Sequence, residues 1–492
     1  MTDETALMIR TQRALRERLL ADPHRPLWHF VSPEGFCMPF DPNGALYWNG
    51  RYHLCYIFQD ERGHCWGHAS SHDLIHWRWH APALFPAPGD VDRGIFSGNC
   101  FVNRDGAATM LYHGVNAGNC IATSHDPNLD HWTKLPANPI VANPSPDSPE
   151  AKRYQSWDPH GWVEGGSYYA VFGGTPSSGV PPTLFKARAL DQWSFVGPFM
   201  AHDMPDVAAF EDVSCPDFFR LGDRHVLVCI SHACGARYYV GRWEEERFTP
   251  ELHRRMNWPG GTCFAPESLV DAKGRRILWT WALETRPAER SPWGGTMTLP
   301  RVLSLAPDHT LFIDPVEELE QLRTKPRLRS RIQVKSGVPV ELEDVRGDSI
   351  ELNLTIRPAS ARRVGLKVRC SPGGEEETTI VCDLAAGQLR IDFAKASLDQ
   401  ELVYRTFCMK NGENPAVTAQ KAPFALAKTE PLHLRVFIDR SILEVFANRR
   451  QCLTQRIYPT RPDSLGVALL SEDGDMEVES LAAWDMAPAN PW

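Results

Sequence analysis

Three acidic spots in the sequence keep the company that bond-breaking chemistry needs. Asp41 lies in "CMPFDPNG", Asp158 in "YQSWDPHGW", and Glu211 with Asp212 in "AFEDVSCPDFF". Each stands beside Pro, Cys or an aromatic residue and just ahead of a strand-like pattern. Asp-Pro is also a common way to begin a turn, so neither pair identifies a site alone. Together the three spots fit cleavage of a glycosidic bond. That reaction needs one carboxylate as nucleophile or base and a second group as acid, flanking a carbon that becomes oxocarbenium-like. A third carboxylate can grip sugar hydroxyls. The 16 Trp and 11 Tyr supply flat apolar faces for a sugar ring, and equally for a β core.

Other titratable residues carry less. His64, His68, His72 and His76 cluster around Cys65, yet neither half of a paired Cys/His zinc signature is present. No metal site and no organic cofactor is expected. His160 and His232 read as ordinary satisfied histidines or as pocket lining. Glu267, in "APES", is a candidate to face a central channel and bind a hydroxyl.

Carboxylates so far apart in sequence need a fold that brings them together. The chain of 492 residues allows two or three domains. Residues 1–27 read as a short N-terminal helical segment, with an amphipathic helix from Glu4 to about Leu20 that ends before Pro23. Beyond Trp28, short alternating patterns such as "GRYHLCYIF", "ATMLYHG", "RHVLVCISH" and "RRILWTWAL" predict strands separated by Gly, Pro, Asn and Asp. A weak repeat ends at Trp77, Trp132 and Trp193, about 55–60 residues apart, and each unit holds about four short strands. These are the dimensions of propeller blades, and residues 28–323 have room for five. A propeller would place its functional groups near the central channel, roughly one per blade. The charged, Pro-containing stretch 324–331 reads as a linker. Strand patterns with regular turns over 332–492 predict a β-sandwich. The expected architecture is thus all-β: a five-bladed β-propeller, then a C-terminal β-sandwich, with a short N-terminal helix.

The net charge of −9, with no basic block, argues against a nucleic-acid partner. No run of roughly 18 apolar residues exists, and the start lacks a signal-peptide core, so no membrane is expected and a cytoplasmic location is inferred. The 13 Cys, an odd number without regular spacing, read as free thiols.

The chain also resembles glycoside hydrolase family 32, the invertase, levanase and inulinase group, along almost its whole length. The resemblance is carried by "CMPFDPNG", "YWNGRYHLCYIFQ", "CWGHASSHDLIHW", "FSGN" at Phe96 to Asn99, "WDP" at Trp157 to Pro159, "MTLPRVLSL", "DPVEELEQLR" and "LRVFIDRSILEVFANRRQCLTQRIYP". It implies a five-bladed propeller plus a sandwich, and a small carbohydrate as substrate. It also implies roles. Asp41 matches the nucleophile, and Asp158 the Asp that stabilises the transition state through sugar hydroxyls. Asn43, Gln59, Trp66, Phe96 and Ser97 match sugar-pocket positions.

Three departures stand against that pattern. Phe40 replaces the Asn before the nucleophile, and Trp157 replaces the Arg before the second Asp, removing a bidentate grip on hydroxyls. Ser214 falls on the Glu of the acid/base motif, tryptophan-glutamate-cysteine-proline, when Cys215-Pro216 is aligned. Either Glu211, after an aromatic residue, takes over as acid/base, or Asp212 does, two residues from Ser214 on the same strand face. Glu211 is the preferred reading. The expected activity is retaining hydrolysis of a β-fructofuranoside-type bond in a small oligosaccharide. Sugar transfer on the same fold and sugar binding without catalysis are the alternatives.

Overall fold

The structure, a computed structural model, describes residues 3, 5–7, 17, 20–174, 181–200, 204–291, 293–405 and 414–490. The helix expected from Glu4 lies largely outside these residues. Leu20 and Ala21 are helical, and the chain turns at Pro23.

Five antiparallel sheets follow, over 42–79, 95–142, 159–198, 214–255 and 263–315. Each has four strands in sequential order, and the second carries a short fifth strand. The turn chemistry that builds them is local. In blade 1, Trp48 pairs with Arg51 across Asn49-Gly50, both at positive φ, which suits a tight hairpin with the twist of its strands. The second strand of that blade, Arg51–Asp60, has seven consecutive buried residues because other sheets cover both of its faces.

The innermost strands are Pro42–Trp48, Ile95–Val102, Pro159–Glu164, Ser214–Leu221 and Cys263–Val270. Each touches its neighbour, and the fifth returns to the first, closing the ring. These neighbours belong to different sheets, and side chains join them. Gly98 N donates to Asn43 Oδ1 at 2.9 Å. Asn99 exchanges two bonds with the backbone of Gly161, at 2.9 and 2.8 Å. His160 Nε2 donates to Phe218 O at 3.0 Å, and the Ser268 hydroxyl to Asp217. Ala45 N donates to Glu267 Oε1 at 3.0 Å, returning to blade 1. Every blade junction therefore has a polar link.

Two six-stranded sheets form the C-terminal sandwich. Residues 324–331, expected to be a linker, lie inside its edge strand Arg323–Val334, which pairs with Met476–Met486. Charged side chains outnumber apolar ones there because an edge strand must stay wet to avoid pairing with other chains. The sandwich shares a core with the propeller: Phe437, Phe446 and Met486 pack in one cluster with Trp28, Leu299 and Leu319.

A buried charge cluster crosses this junction. Asp439 of the sandwich accepts the backbone N–H groups of Leu27, Trp28 and His29 at 2.7–2.9 Å, and its Oδ2 lies 2.8 Å from His29 Nδ1. Glu444 accepts Leu299 N and Arg301 Nη2, each at 2.8 Å, and sits 3.4 Å from His29 Nε2. Burial alone would lower the His29 pKa, but the two carboxylates reverse this and raise it. Folded His29 thus binds its proton more tightly than the unfolded chain does. Its stabilising contribution is complete below about pH 6.5 and is lost as pH rises through the higher folded value. Thermal melts should show stability falling above neutral pH, with His29→Gln flattening that dependence. Glu444→Gln should cost about 3–5 kcal/mol by denaturant titration, since it takes from the buried Arg301 its carboxylate partner while His29 keeps Asp439. A cost under ~1 kcal/mol would show that the cluster does not hold the domains.

Candidate active site

The three acidic spots meet at one end of the inner strands. Asp41 immediately precedes the inner strand of blade 1, where its carbonyl accepts Ile57 N at 3.2 Å and Asn43 Nδ2 at 2.8 Å. Its Oδ2 accepts the Ser97 hydroxyl at 2.7 Å, while the buried Oδ1 has no partner among the described residues. Asp158 precedes the inner strand of blade 3 at φ +26°, a strained value for a residue with a Cβ. Its Oδ2 accepts Cys215 N at 3.0 Å. Gly173 permits the approach, because a Cβ there would stand 2.6 Å from Val213 O.

One side chain spans both acids. Cys215 Sγ lies 3.7 Å from Asp41 Oδ2 and 3.6 Å from Asp158 Oδ2. Cys215 is itself at φ +44°, within a register break in its strand. Burial raises the pKa of Asp41 against the opposing Ser97 bond and the charge of His232. Burial, with the charge of Asp41, pushes Asp158 up to about 6 despite the Cys215 N–H. Burial and the two carboxylates raise the Cys215 thiol well above its usual range, so it stays protonated. The pair is thus a close, partly desolvated set of acids with one oxygen unengaged.

Glu211 and Asp212 face different partners. Glu211 bonds Arg255 Nη2 at 2.7 Å, Arg237 Nη1 at 3.0 Å and Ala208 N at 3.0 Å. Burial would raise its pKa, but these contacts, Arg255 foremost, hold it at about 2. A carboxylate so paired carries no proton to donate near neutral pH. This is where the preferred reading of Glu211 as acid/base meets its physical obstacle. Asp212 instead takes His232, with Oδ2 2.6 Å from Nδ1 and Oδ1 accepting the His232 N–H at 3.0 Å. It precedes the strand that begins at Ser214, so the strand-face argument does not place it. Burial lowers the His232 pKa, but Asp212, Asp158 and Asp41 more than compensate and raise it. Ser214 is buried and donates to Gly174 O at 3.2 Å.

The aromatic residues form a wall beside the acids. Trp157 is half-buried, with its ring 4.8 Å from that of His113 and 6.1 Å, edge-on, from Phe96. Phe96 also meets His64 at 4.8 Å. Gln59 is exposed and pairs with His64, which puts it at the rim. Trp66 is fully buried and donates to Phe96 O at 3.1 Å, supporting the wall from behind. Ser97 touches the nucleophile position directly. Asn43 and Glu267, expected to touch sugar, are instead occupied as blade links; burial and the charge of Asp217 raise Glu267 well above the usual carboxyl range. Phe40 is fully buried against Tyr56 and Phe30.

The histidine cluster does not converge. His68 Nε2 lies 2.9 Å from His53 Nδ1, His72 reaches Gly50 O at 3.3 Å, and His76 pairs with Asp73 at 2.8 Å. His68, His80 and Asp130 lie close enough to hold an ion, but His80 is already bonded to Asp130 and Ser70. A large cavity of about 840 Å³ lies elsewhere, between blade 4 and the sandwich, lined by Tyr238, Arg254, Trp258 and Arg450. The sequence reading used Cys215 only as an alignment anchor and took His232 for an ordinary satisfied histidine or pocket lining, without its tie to Asp212. The one signal for Cys215 was its place just after the Glu211-Asp212 pair. For His232 there was none, since its partner is 20 residues away.

Comparison with known proteins agrees with this architecture. The model of the glycosyl hydrolases family 32 N-terminal domain matches residues 29–315, and that of the family's C-terminal region matches 318–485. Sucrose-6-phosphate hydrolase of Zymomonas mobilis is 29% identical, covering 97% of this chain and 95% of its own. Raffinose invertase of Escherichia coli is 29% identical, covering 93% and 94%. Fructan 1-exohydrolase IIa of Cichorium intybus superposes with a TM-score of 0.82 at 22% identity, covering 95% of this chain and 98% of that one. The family match extends through both domains and takes in Asp41, Asp158 and Cys215: the chain belongs to glycoside hydrolase family 32 and is a glycosidase of the β-fructofuranosidase type.

Proposed function

We propose that this protein hydrolyses a β-fructofuranoside bond in a small oligosaccharide, with retention of configuration. The observation that carries this reading is the pair of buried carboxylates meeting at the sulfur of Cys215, with Asp41 Oδ1 unengaged. Asp41 attacks the anomeric carbon and forms a glycosyl ester. Its Ser97 bond keeps Oδ2 in place, so that attack falls to Oδ1. Asp158, ionised and held by the Cys215 N–H, accepts hydroxyls of the fructosyl ring, and those bonds strengthen as positive charge develops on the ring. Water then releases the sugar. The named activities of the relatives, on sucrose 6-phosphate, raffinose and fructans, share a terminal fructofuranosyl unit, and they support this choice of glycon.

Trp157 sets the departure in specificity. A flat ring replaces a guanidinium fork, so a hydrogen-bonded grip becomes an apolar wall. A substrate with a less polar or modified face beside Trp157 suits this pocket better than one that needs a cation there.

Asp41→Asn should lower kcat on an aryl β-fructofuranoside by about 10³-fold or more, with the fold intact, because it removes the covalent route. More than a tenth of the activity surviving would take Asp41 out of the mechanism. Both acids must be ionised, and Asp158 has been pushed up to about 6. A profile of kcat/KM should therefore fall as pH drops through about 6, and a flat profile down to pH 4.5 would contradict the role given to Asp158. Trp157→Arg should shift the ratio of kcat/KM values toward sucrose over other β-fructofuranosides. An unchanged ratio would leave Trp157 as packing alone. Product analysis with and without an acceptor sugar separates hydrolysis from transfer.

A further inference from the structure

The reaction described above needs a proton at the leaving oxygen, and the usual source is missing. Ser214 stands where the family motif has Glu, its hydroxyl is spent on Gly174 O, and a neutral hydroxyl is a poor acid. Glu211 is neutralised by Arg237 and Arg255. The Cys215 thiol lies between two carboxylates that oppose its ionisation.

One group remains with the right chemistry and the right place. Ser214 pairs with Ile230 across the first hairpin of blade 4. Just beyond that end of the hairpin, two residues before Ser214 and two after Ile230, stand Asp212 and His232, bonded to each other through both carboxylate oxygens. The His232 side chain is 31% exposed and that of Asp212 only 2%. The carboxylate is therefore the buried anchor and the imidazole the reachable tip. With Nδ1 committed to Asp212, Nε2 is the atom left to act. The same hairpin carries Cys215, which touches both catalytic acids.

We propose that His232, oriented by Asp212, is the proton donor and acceptor of this enzyme, replacing the carboxyl group that Ser214 has removed. The inference rests on the retaining mechanism proposed above. In the first step Asp41 Oδ1 bonds to the anomeric carbon, the glycosidic C–O bond breaks, and the proton on His232 Nε2 passes to the departing oxygen. The alcohol leaves neutral and His232 is left uncharged. In the second step neutral Nε2 takes a proton from water, the water oxygen bonds to the anomeric carbon, and the ester to Asp41 breaks. Asp212 is a positioning residue throughout: it fixes the ring and stabilises the imidazolium, as a buried carboxylate does for other catalytic histidines.

The groups facing His232 are Asp212 across its own hairpin, the charges of Asp158 and Asp41 from blades 3 and 1, and the Phe264 ring of blade 5 at 6.2 Å. All three charges favour the protonated ring. Activity is therefore present while His232 holds its proton and is lost as pH rises through its raised pKa.

The test compares sucrose with 4-nitrophenyl β-fructofuranoside, whose leaving group needs little protonation. His232→Gln should lower kcat/KM on sucrose by about 10²–10³-fold and on the nitrophenyl substrate by less than about tenfold. Added azide should yield fructosyl azide from the nitrophenyl substrate with this variant. Asp212→Asn should keep the ring but move the basic limb of the pH profile to lower pH. If His232→Gln cleaves sucrose within about threefold of the parent, the proposal is overturned. If it loses both substrates equally, Asp212→Asn decides, and an unmoved basic limb overturns the proposal. If the parent enzyme cleaves neither substrate, the β-fructofuranosidase reading itself falls. If the parent cleaves both but inverts configuration, the retaining mechanism falls and the covalent first step with it.

Discussion

The molecule depends on how five separate sheets are joined around an axis where no continuous ladder of backbone bonds runs. The solution is a ring of side-chain links between the inner strands: Asn43, Asn99, His160, Asp217 and Glu267, each reaching the next blade. Buried backbone groups demand partners, and the links provide them where sheets meet edge to edge. Because each link uses a residue of the inner strand, the ring also fixes the height and rotation of every blade relative to its neighbours. Asp41 from blade 1 and Asp158 from blade 3 can then meet Cys215 from blade 4 to within a few tenths of an ångström of van der Waals contact. The register breaks near Asn43, Ile95, Cys215 and Ala265 turn these strand ends toward the axis.

The cost of this arrangement is buried negative charge. Asp41, Asp158, Asp217 and Glu267 all lie in the interior, and burial raises every one of them. Two cations answer them at different depths. Arg276 interacts with Asp217 and Glu267 at the structural end, where its own pKa is lowered by burial. His232 interacts with Asp41 and Asp158 at the reactive end. The choice of cation follows the task. A guanidinium keeps its proton under all conditions and serves a permanent link, whereas an imidazole can give its proton up.

Much of this was legible in the sequence. The recurring Trp spacing and short alternating strands gave five blades, and the later turn spacing gave the sandwich. Asp41 and Asp158 stood out because each combines a turn proline with aromatic neighbours. What could not be read is pairing across distance. Asn43 and Glu267 have the side chains of sugar ligands, but their partners lie 55 and 222 residues away, and only the closed ring assigns them to blade linkage. Glu211 has the chemistry of an acid until Arg237 and Arg255, 26 and 44 residues on, are seen beside it. The stretch 324–331 has the composition of a linker because edge strands and linkers face the same solvent.

The junction at Asp439 has a meaning for how the protein is made. The N–H groups of Leu27, Trp28 and His29 wait for a carboxylate about 410 residues further along the chain. The Leu27 carbonyl then accepts Ala489 N and Asn490 N, at 3.0 and 2.9 Å. A ribosome that has finished all five blades has therefore still not produced the partners of the segment leading into blade 1. Until the sandwich emerges, His29 and Arg301 have no carboxylate from it, and the face around Trp28 and Leu299 is uncovered. The nascent propeller is a ring whose clasp is translated last, so the interval in which it is open to chaperones and proteases is set by the time taken to synthesise the sandwich.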